Sequence, residues 1–407
     1  MIKTKDELDQ FILSNWNELN HYLDQEAKKY PVPFYNSVDI RESKKKYAPV
    51  DNNIYPAGFN NLCLMDLDET SFQIKNFKNE RGLSSDNWAI LIESNTKNIF
   101  YLDHLFFLKK SIVESGVENC KFISLDESIF DGHSTIKLES ASKFDIEVHK
   151  AILDSGQIRI ESQNQDFDVI ILNNDQSSPI EIDWKKLALP IFPPPDIGWF
   201  KRQKIHHFEQ YFNVVQKFAQ KFNIDEDLIC AKFQAFHHVD FSTKESFEKL
   251  AESVDQLKNK IDPNQKIFLK ASKGTYGMGI QVLSSGQEVL SMNRKVRNKM
   301  DIGKNKIKFT DVLIQEGVDT VLSYDQMPAE VTIYLINGKC VGGFMRANAQ
   351  KDHQSNLNSR GMVFKKFCIS EIRQNQDFTI KEAVYSVIAR LSSIAAGLEI
   401  QQIQEGK

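Results

Sequence analysis

Apolar side chains recur at helical spacing near the amino terminus, where Leu8, Phe11, Ile12, Leu19, Tyr22 and Leu23 share one face. Thr4 with Glu7 makes a capping box ahead of them, so the spacing predicts a helix that Pro31 and Pro33 end. From Val38 to Asn61 the pattern gives way to a polar, turn-rich stretch punctuated by Pro49, Pro56 and Gly58. Three continuous apolar runs follow, at Trp88–Ser94, Cys120–Leu125 and Asp168–Asp175. Runs without alternation mark strands covered on both faces, as in a parallel sheet. Residues 62–185 are therefore expected to form an open α/β unit.

The run Pro193-Pro194-Pro195 is stiff and extended, and is expected to divide the chain into residues 1–192 and 193–407. A helix follows, with Phe208, Tyr211, Phe212, Val215, Phe218, Ala219 and Phe222 on one stripe. Beyond residue 260 the texture turns to strands, at Lys266–Ala271, Gly279–Leu283, Asp311–Gly317, Ala329–Gly338 and Cys340–Ala347. The stretch from Ile380 to about Leu398 is helical again, with Ala383, Val387, Ile388, Leu391 and Ile394 spaced for one face.

Composition narrows the function classes. A chain of 407 residues needs more than one core. A net charge of -4 argues against nucleic acid as a partner, because phosphate binding shows as a basic excess. No continuous apolar run reaches the roughly 18 residues that would span a membrane. Cys63, Cys120, Cys230, Cys340 and Cys368 are too scattered for a metal knuckle or redox pair. They read as buried thiols in a reducing, cytoplasmic compartment. The pairs His206-His207 and His237-His238 have no partner at a zinc-ligand spacing and read as packing histidines.

The sharpest chemistry lies between Phe268 and Leu283. Gly274, Gly277 and Gly279 sit between two strand-like runs, with Lys270 before the loop and Lys273 opening it. Glycines let backbone N–H groups close on phosphate oxygens, and a fixed cation offsets phosphate charge. A P-loop or a Rossmann turn needs a helix next, whereas Ile280–Leu283 is a strand. Strand, loop, strand over phosphates is the arrangement of protein kinases and ATP-grasp enzymes, and the kinase signatures are missing downstream. Further on come Gln315-Glu316-Gly317-Val318 at a strand end and Glu330 with Thr332, Tyr334 and Ile336 on one strand face. An Asn337-Gly338 hairpin turn leads to Arg346, and Asn356 to Gly361 form a polar loop.

In this order the segments resemble ATP-grasp ligases, and most of all the compact bacterial class of glutamate–cysteine ligase. The resemblance rests on KASKGTYGMGI (270–280), NRKVRNKM (293–300), LIQEGV (313–318), VGGF (341–344) and NLNSRGM (356–362). Upstream it rests on PFYNSVDIR (33–41), APVDNNIYPAGFNNL (48–62) and GWFKRQKIHHF (198–208). It implies an α/β (α+β) protein, an N-terminal open α/β substrate domain followed by an ATP-grasp-like domain. It also implies joining of the L-glutamate γ-carboxylate to L-cysteine at the expense of ATP, with Mg²⁺. By motif, Lys270, Lys273, Gly274, Thr275, Tyr276, Gly277, Gly279, Gln315, Glu316 and Val318 would hold ATP. Lys270 and Arg346 would act in catalysis, and Glu330 and Asn356 would hold the metal. The chain departs from the ATP-grasp pattern at one point, since no late Glu-x-Asn pair follows Arg360.

An amino-acid substrate needs a cation for its carboxylate and amides or acids for its ammonium. Arg41, Asn53, Asn60 and Asn61 supply such groups in the turn-rich stretch, and Arg202 opens the second half. Asn95, Asn98, Asn173 and Asn174 lie just past predicted strands, where open α/β sheets bind ligands. Arg41 in particular is expected in the amino-acid site, away from ATP. Two other readings fit the same residues: another ATP-grasp carboxylate–amine ligase, or a nucleotide-binding regulatory protein without catalysis.

Overall fold

The computed structural model describes the chain except for residues 95, 164, 177–179, 181, 274–278, 294–295, 298–299, 301–309, 368–375 and 407; for 367 and 376–379 only the backbone is described. Helices α1 (Lys5–Ser14) and α2 (Trp16–Ala27) lead into strands β1 (Tyr35–Glu42) and β2 (Tyr47–Asn53). Next come α3 (Leu64–Arg81), β3 (Asn87–Ile92), α4 (Ile99–Glu114) and β4 (Asn119–Ser124). Strands β5 (Thr135–Glu139), β6 (Asp145–Asp154), β7 (Gln157–Ile160), β8 (Gln165–Asp166), β9 (Val169–Asn173) and β10 (Ile191–Phe192) complete the first half. The second half opens with α5 (Lys204–Phe222), β11 (Phe233–Phe236), α6 (Lys244–Lys258), β12 (Ile267–Ala271), β13 (Ile280–Leu283) and α7 (Gly286–Leu290). It closes with β14 (Val312–Glu316), β15 (Ser323–Tyr324), β16 (Met327–Ile336), β17 (Lys339–Asn348), β18 (Met362–Phe367) and the C-terminal helix Gln376–Glu405.

The capping box at Thr4 and Glu7 forms as expected. The helix it starts is interrupted at Asn15, whose side chain donates to the Phe11 carbonyl at 2.8 Å and so ends α1. The apolar runs of β3, β4 and β9 form the parallel centre of an eight-stranded sheet, in the order β10-β9-β3-β4-β6-β7-β8 with β5 against β6. Alternate residues serve two cores. Ile90, Ile92, Val169 and Ile171 pack among side chains of α3 and α4, while Ala89, Leu91, Ile170 and Leu172 pack with Ala396 and Ile400 of the C-terminal helix.

The second sheet runs β18-β17-β16-β1-β2, with β15 against β16. Its strands β1 and β2 occupy the stretch expected to be turns. They pair with β16, so a cut at residue 192 would pass through this sheet. Val38, Ile40, Val331, Ile333 and Leu335 point into a core shared with α1, α2, α5 and the C-terminal helix. That helix is long and apolar enough to cross a membrane by composition, yet Val384, Val387, Ile388, Leu391 and Ala395 are buried in this core. On the opposite face, Tyr35, Tyr334, Ile336 and Phe344 are packed with side chains of α3 and α4. The Asn337-Gly338 turn has φ of 48° and 72°, the left-handed pair that a two-residue hairpin requires.

The third sheet is four-stranded and antiparallel, β11-β14-β12-β13, with α6 packed behind it. The cysteines are not all thiols as the sequence suggests, because Cys63 is disulfide-bonded. Cys120 and Cys230 are free and buried, and burial pushes both thiols up to about 12.

Candidate active site

The polar half of the second sheet faces the third sheet across a cleft. On the third-sheet side, Lys270 projects from β12 and donates to Gln315 Oε1 at 2.8 Å and to the Val50 carbonyl at 2.7 Å. Gln315 Nε2 is fully buried and has no acceptor among the described residues. Glu316 next to it accepts from Lys46 Nζ at 2.9 Å and from the Lys232 amide at 2.8 Å. Phe268, Ile280 and Val318 supply apolar lining. This wall offers a flat apolar surface with an open amide donor, which suits a nucleotide base.

Strand register assembles the facing wall. Asp39 lies opposite Asp51 on β2 and Thr332 on β16, and Glu330 lies opposite Arg346 on β17. Arg41 Nε donates to Glu330 Oε2 at 2.8 Å, and Arg346 Nη1 donates to Glu330 Oε1 at 2.9 Å and Asp39 Oδ2 at 2.8 Å. The remaining Arg41 donors reach the carbonyls of Val318 at 3.3 Å, His353 at 3.4 Å and Ser355 at 2.6 Å. Among the described residues Arg346 Nε has no acceptor, although the residue is only 8% exposed. A buried donor left open is costly, and it points to an anionic ligand. Burial draws the Glu330 carboxyl upward, but Arg41 and Arg346 outweigh it and hold the group below its ordinary value. Burial dominates at Asp39 and raises it despite Arg346.

Lys204, on the first turn of α5, donates to Asp51 Oδ1 at 2.5 Å. Its backbone amide donates to the Ser272 carbonyl at 2.8 Å, which fixes the start of α5 against the start of the glycine loop. Burial opposes ionisation of Asp51, but Lys204 and Lys270 prevail and hold it at about 2. Burial, reinforced by the charges of Lys204 and Arg41, pulls the Lys270 ammonium down to about 8.

The structure brings together Lys270, Gln315, Glu316, Val318, Glu330 and Asn356 around the cleft, adds Arg41 to them, and ties Arg346 to the cleft through Glu330. Lys273 is half-buried just past β12, and Gly279 takes φ of 67° as its carbonyl accepts from Ala271. Gly274, Thr275, Tyr276, Gly277 and Asn95 lie outside the described residues.

The other expected substrate ligands do not line the cleft, and most have structural work. Asn98 caps α4, accepting from the Phe100 and Tyr101 amides at 3.2 and 3.3 Å. Asn53 and Asn174 close turns onto Tyr55 and Gln176, and Asn60 reaches Asn61. Asn173 is buried between Tyr35 and His104. Arg202 is sealed in a two-pronged pair with Glu399 at 2.9 and 2.7 Å. Sequence reasoning missed Asp39, Asp51 and Lys46. The alternation of Val38-Asp39-Ile40-Arg41, matched by that of Glu330 to Tyr334, was the available signal.

The family model described as GshA, glutamate-cysteine ligase, matches residues 9–400. The chain belongs to the glutamate–cysteine ligase family. The ligase makes γ-glutamylcysteine, the first step of glutathione biosynthesis, and the family is ATP-dependent. A crystal structure of a candidate gamma-glutamylcysteine synthetase from Methylobacillus flagellatus KT superposes with a TM-score of 0.86 at 29% identity, covering 97% of this chain and 96% of that one. A D-alanyl-alanine synthetase A from Vibrio cholerae O1 covers 75% of this chain and 81% of that one at 11% identity, but its TM-score of 0.35 carries no argument. A search of curated proteins found no match.

The depressed Lys270 ammonium has a measurable consequence for the ligase. The group carries its charge below about pH 8 and loses it above. ATP binding to the free enzyme, measured by calorimetry, is therefore expected to be steady below that pH and to weaken above it, by at most about tenfold per unit. In Lys270→Arg this basic limb should vanish, because a guanidinium does not titrate in this range. An affinity that stays level to pH 9.5 in the unaltered ligase would separate nucleotide binding from the Lys270 charge.

Proposed function

We propose that the ligase works through γ-glutamyl phosphate formed in this cleft, in an ATP-grasp-like arrangement with a nucleotide between the two facing sheets. The carrying observation is that Lys204 and Lys270 line one cleft together with Glu330 and Asp39, the two carboxylates that hold Arg346, whose Nε donor has no acceptor among the described residues. A carboxylate is a poor electrophile and oxide a poor leaving group, so direct condensation is slow. In the first step a glutamate γ-carboxylate oxygen bonds to the γ-phosphorus of ATP, and the bond to ADP breaks. In the second, the neutral cysteine amine attacks the acyl carbon, inorganic phosphate departs and the nitrogen gives up a proton. Splitting the reaction replaces one difficult barrier with two smaller ones. The three cations offset charge on the transferring phosphoryl group, and a water-poor cleft strengthens them.

Magnesium carried on ATP needs only one or two protein carboxylates. Among the described residues no group of three or more acidic, histidine or cysteine side chains is placed to hold a metal. Both Glu330 oxygens are already taken by Arg41 and Arg346, so Glu330 fits an anchoring part better than the metal-ligand part expected for it. Asp51 fits the ion better: Oδ1 meets Lys204, Oδ2 has no described partner, and 38% of its side chain is exposed to the cleft. Asn356 beside it can add an amide oxygen, in exchange for the turn it makes with the Asn358 amide. Held by Asp51 and Asn356, the ion would offset negative charge on the phosphates.

The acyl phosphate leaves an isotopic trace. Glutamate labelled with ¹⁸O in its γ-carboxylate should transfer one labelled oxygen to the phosphate released in the presence of ATP and cysteine. Phosphate free of label, released in step with peptide formation, would exclude the intermediate.

A further inference from the structure

The carboxyl ends of the parallel strands hold two buried side chains that nothing above uses. Gln176 is 1% exposed, and among the described residues neither its Nε2 nor its Oε1 has a hydrogen-bond partner. Tyr55 is 5% exposed, and its hydroxyl is also without a partner among them. Unpaired buried polar atoms are costly, and three in one neighbourhood call for an explanation.

Both side chains border the turn that leads into α5. Tyr55 packs in one cluster with Ile197 and Trp199. The Gln176 carbonyl accepts from the Phe200 amide at 3.0 Å, and the Asp175 carbonyl accepts from the Trp199 amide at 3.0 Å. Gly198 lies so close that a Cβ there would stand 2.4 Å from the Gln176 Cβ. Gln176 itself sits at φ of 46°, an unfavourable conformation for a side chain of its size. Its amide nitrogen is held by Asn174 Oδ1 at 2.8 Å. Asn53 pins Tyr55 in the same way, accepting from the Tyr55 amide at 2.9 Å. The backbone is thus committed to presenting these two side chains, while their polar ends stay open.

The neighbourhood is joined to the proposed phosphoryl site through Trp199. Lys204 Nζ stands 5.0 Å from the centroid of the Trp199 ring, and Lys204 is the partner of Asp51 in the cleft. Arg202, Asp196 and Asp175 all act on the Tyr55 hydroxyl electrostatically, so the neighbourhood carries both signs of charge, as the two charges of an amino-acid head group require. An amide offers one acceptor and two donors, and a phenol offers one of each. Together they match an ammonium and a carboxylate borne on one carbon.

We infer that Tyr55 and Gln176 hold the α-ammonium and α-carboxylate of glutamate, with its γ-carboxylate directed past Trp199 toward Lys204. This rests on the ligase reading and adds the place where the glutamate head group is recognised. Cysteine carries the same two groups, but its amine is the nucleophile and must be free to react, so the experiment measures the two amino acids separately.

Tyr55→Phe and Gln176→Leu are conservative in size and remove only hydrogen-bonding capacity. In the full-length protein, KM would be measured for glutamate, cysteine and ATP separately, and melting shifts recorded with each alone. The expected result is a rise of roughly tenfold or more in KM for glutamate in both variants, with loss of the melting shift that glutamate gives the unaltered protein. The KM and melting shift for ATP should stay unchanged. A rise for cysteine alone would overturn the inference. If both variants keep normal KM values for both amino acids, with or without a raised melting temperature, the side chains are structural and the inference fails. A defect confined to ATP would also overturn it. Should Gln176→Leu fail to fold, Tyr55→Phe decides alone. A failure of the ligase reading itself would be seen earlier, as an unaltered protein that releases no phosphate with glutamate and cysteine present.

Discussion

Lys270→Ala is expected to lower kcat/KM for ATP by about a thousandfold, with the protein still folded. The ammonium is buried at the cleft wall, where its charge acts on phosphates with little screening. Its loss removes a cation in place before the transition state forms, so kcat should fall along with ATP affinity. The fold should tolerate the change because the ammonium is itself poorly solvated, and its two acceptors, Val50 O and Gln315 Oε1, border an open cleft. Lys270→Met, which keeps the volume, should give the same kinetic loss. Either variant turning over at near-normal rate, with a normal melting temperature, would place the phosphate clamp elsewhere.

Arg41→Ala is expected to cost both stability and activity. Glu330 is 3% exposed and would keep Arg346 alone as its partner, while the carbonyls of Val318, His353 and Ser355 would lose a shared donor. Removing one partner from a buried pair typically costs about 3–5 kcal/mol. Arg346 would also lose its fixed position, so all three substrates should suffer. Lysine should not rescue, because one ammonium cannot reproduce the fork that spans Glu330 and three carbonyls. A melting curve together with a KM for each substrate decides the matter. Normal stability with a raised KM for one amino acid alone would restore the sequence-based reading, in which Arg41 meets a substrate carboxylate.

Residues whose neighbours lie close along the chain were legible in the sequence. Lys270, Gln315, Glu330 and Arg346 follow from a glycine loop, a strand end and an Asn-Gly hairpin within one stretch of chain. Strands β1 and β2 were not legible, because charges at Asp39, Arg41 and Asp51 and a proline at position 49 imitate a loop. Those charges belong to a strand face that looks onto a cleft, an environment that only the distant β16 creates. The Asp51–Lys204 pair, 153 residues apart, has no local signature at all. Asparagines at strand ends misled for another reason. Asn98 and Asn174 have the composition of a ligand site, but a helix cap and a tight turn use the same side chain.

The second sheet joins the two ends of the chain, and this bears on when the protein can first act during its own synthesis. Arg41 leaves the ribosome 289 residues before Glu330. Until then β1 has no β16 to pair with, and of the four helices that cover the apolar side of the hairpin the C-terminal one has yet to be made. A chain that stops early, even one carrying the whole glycine loop, has half of each wall and cannot hold a reactive phosphate away from water. Closing contacts across so much chain is also slow. The nascent hairpin is therefore a surface that a cell must shield for most of the translation time.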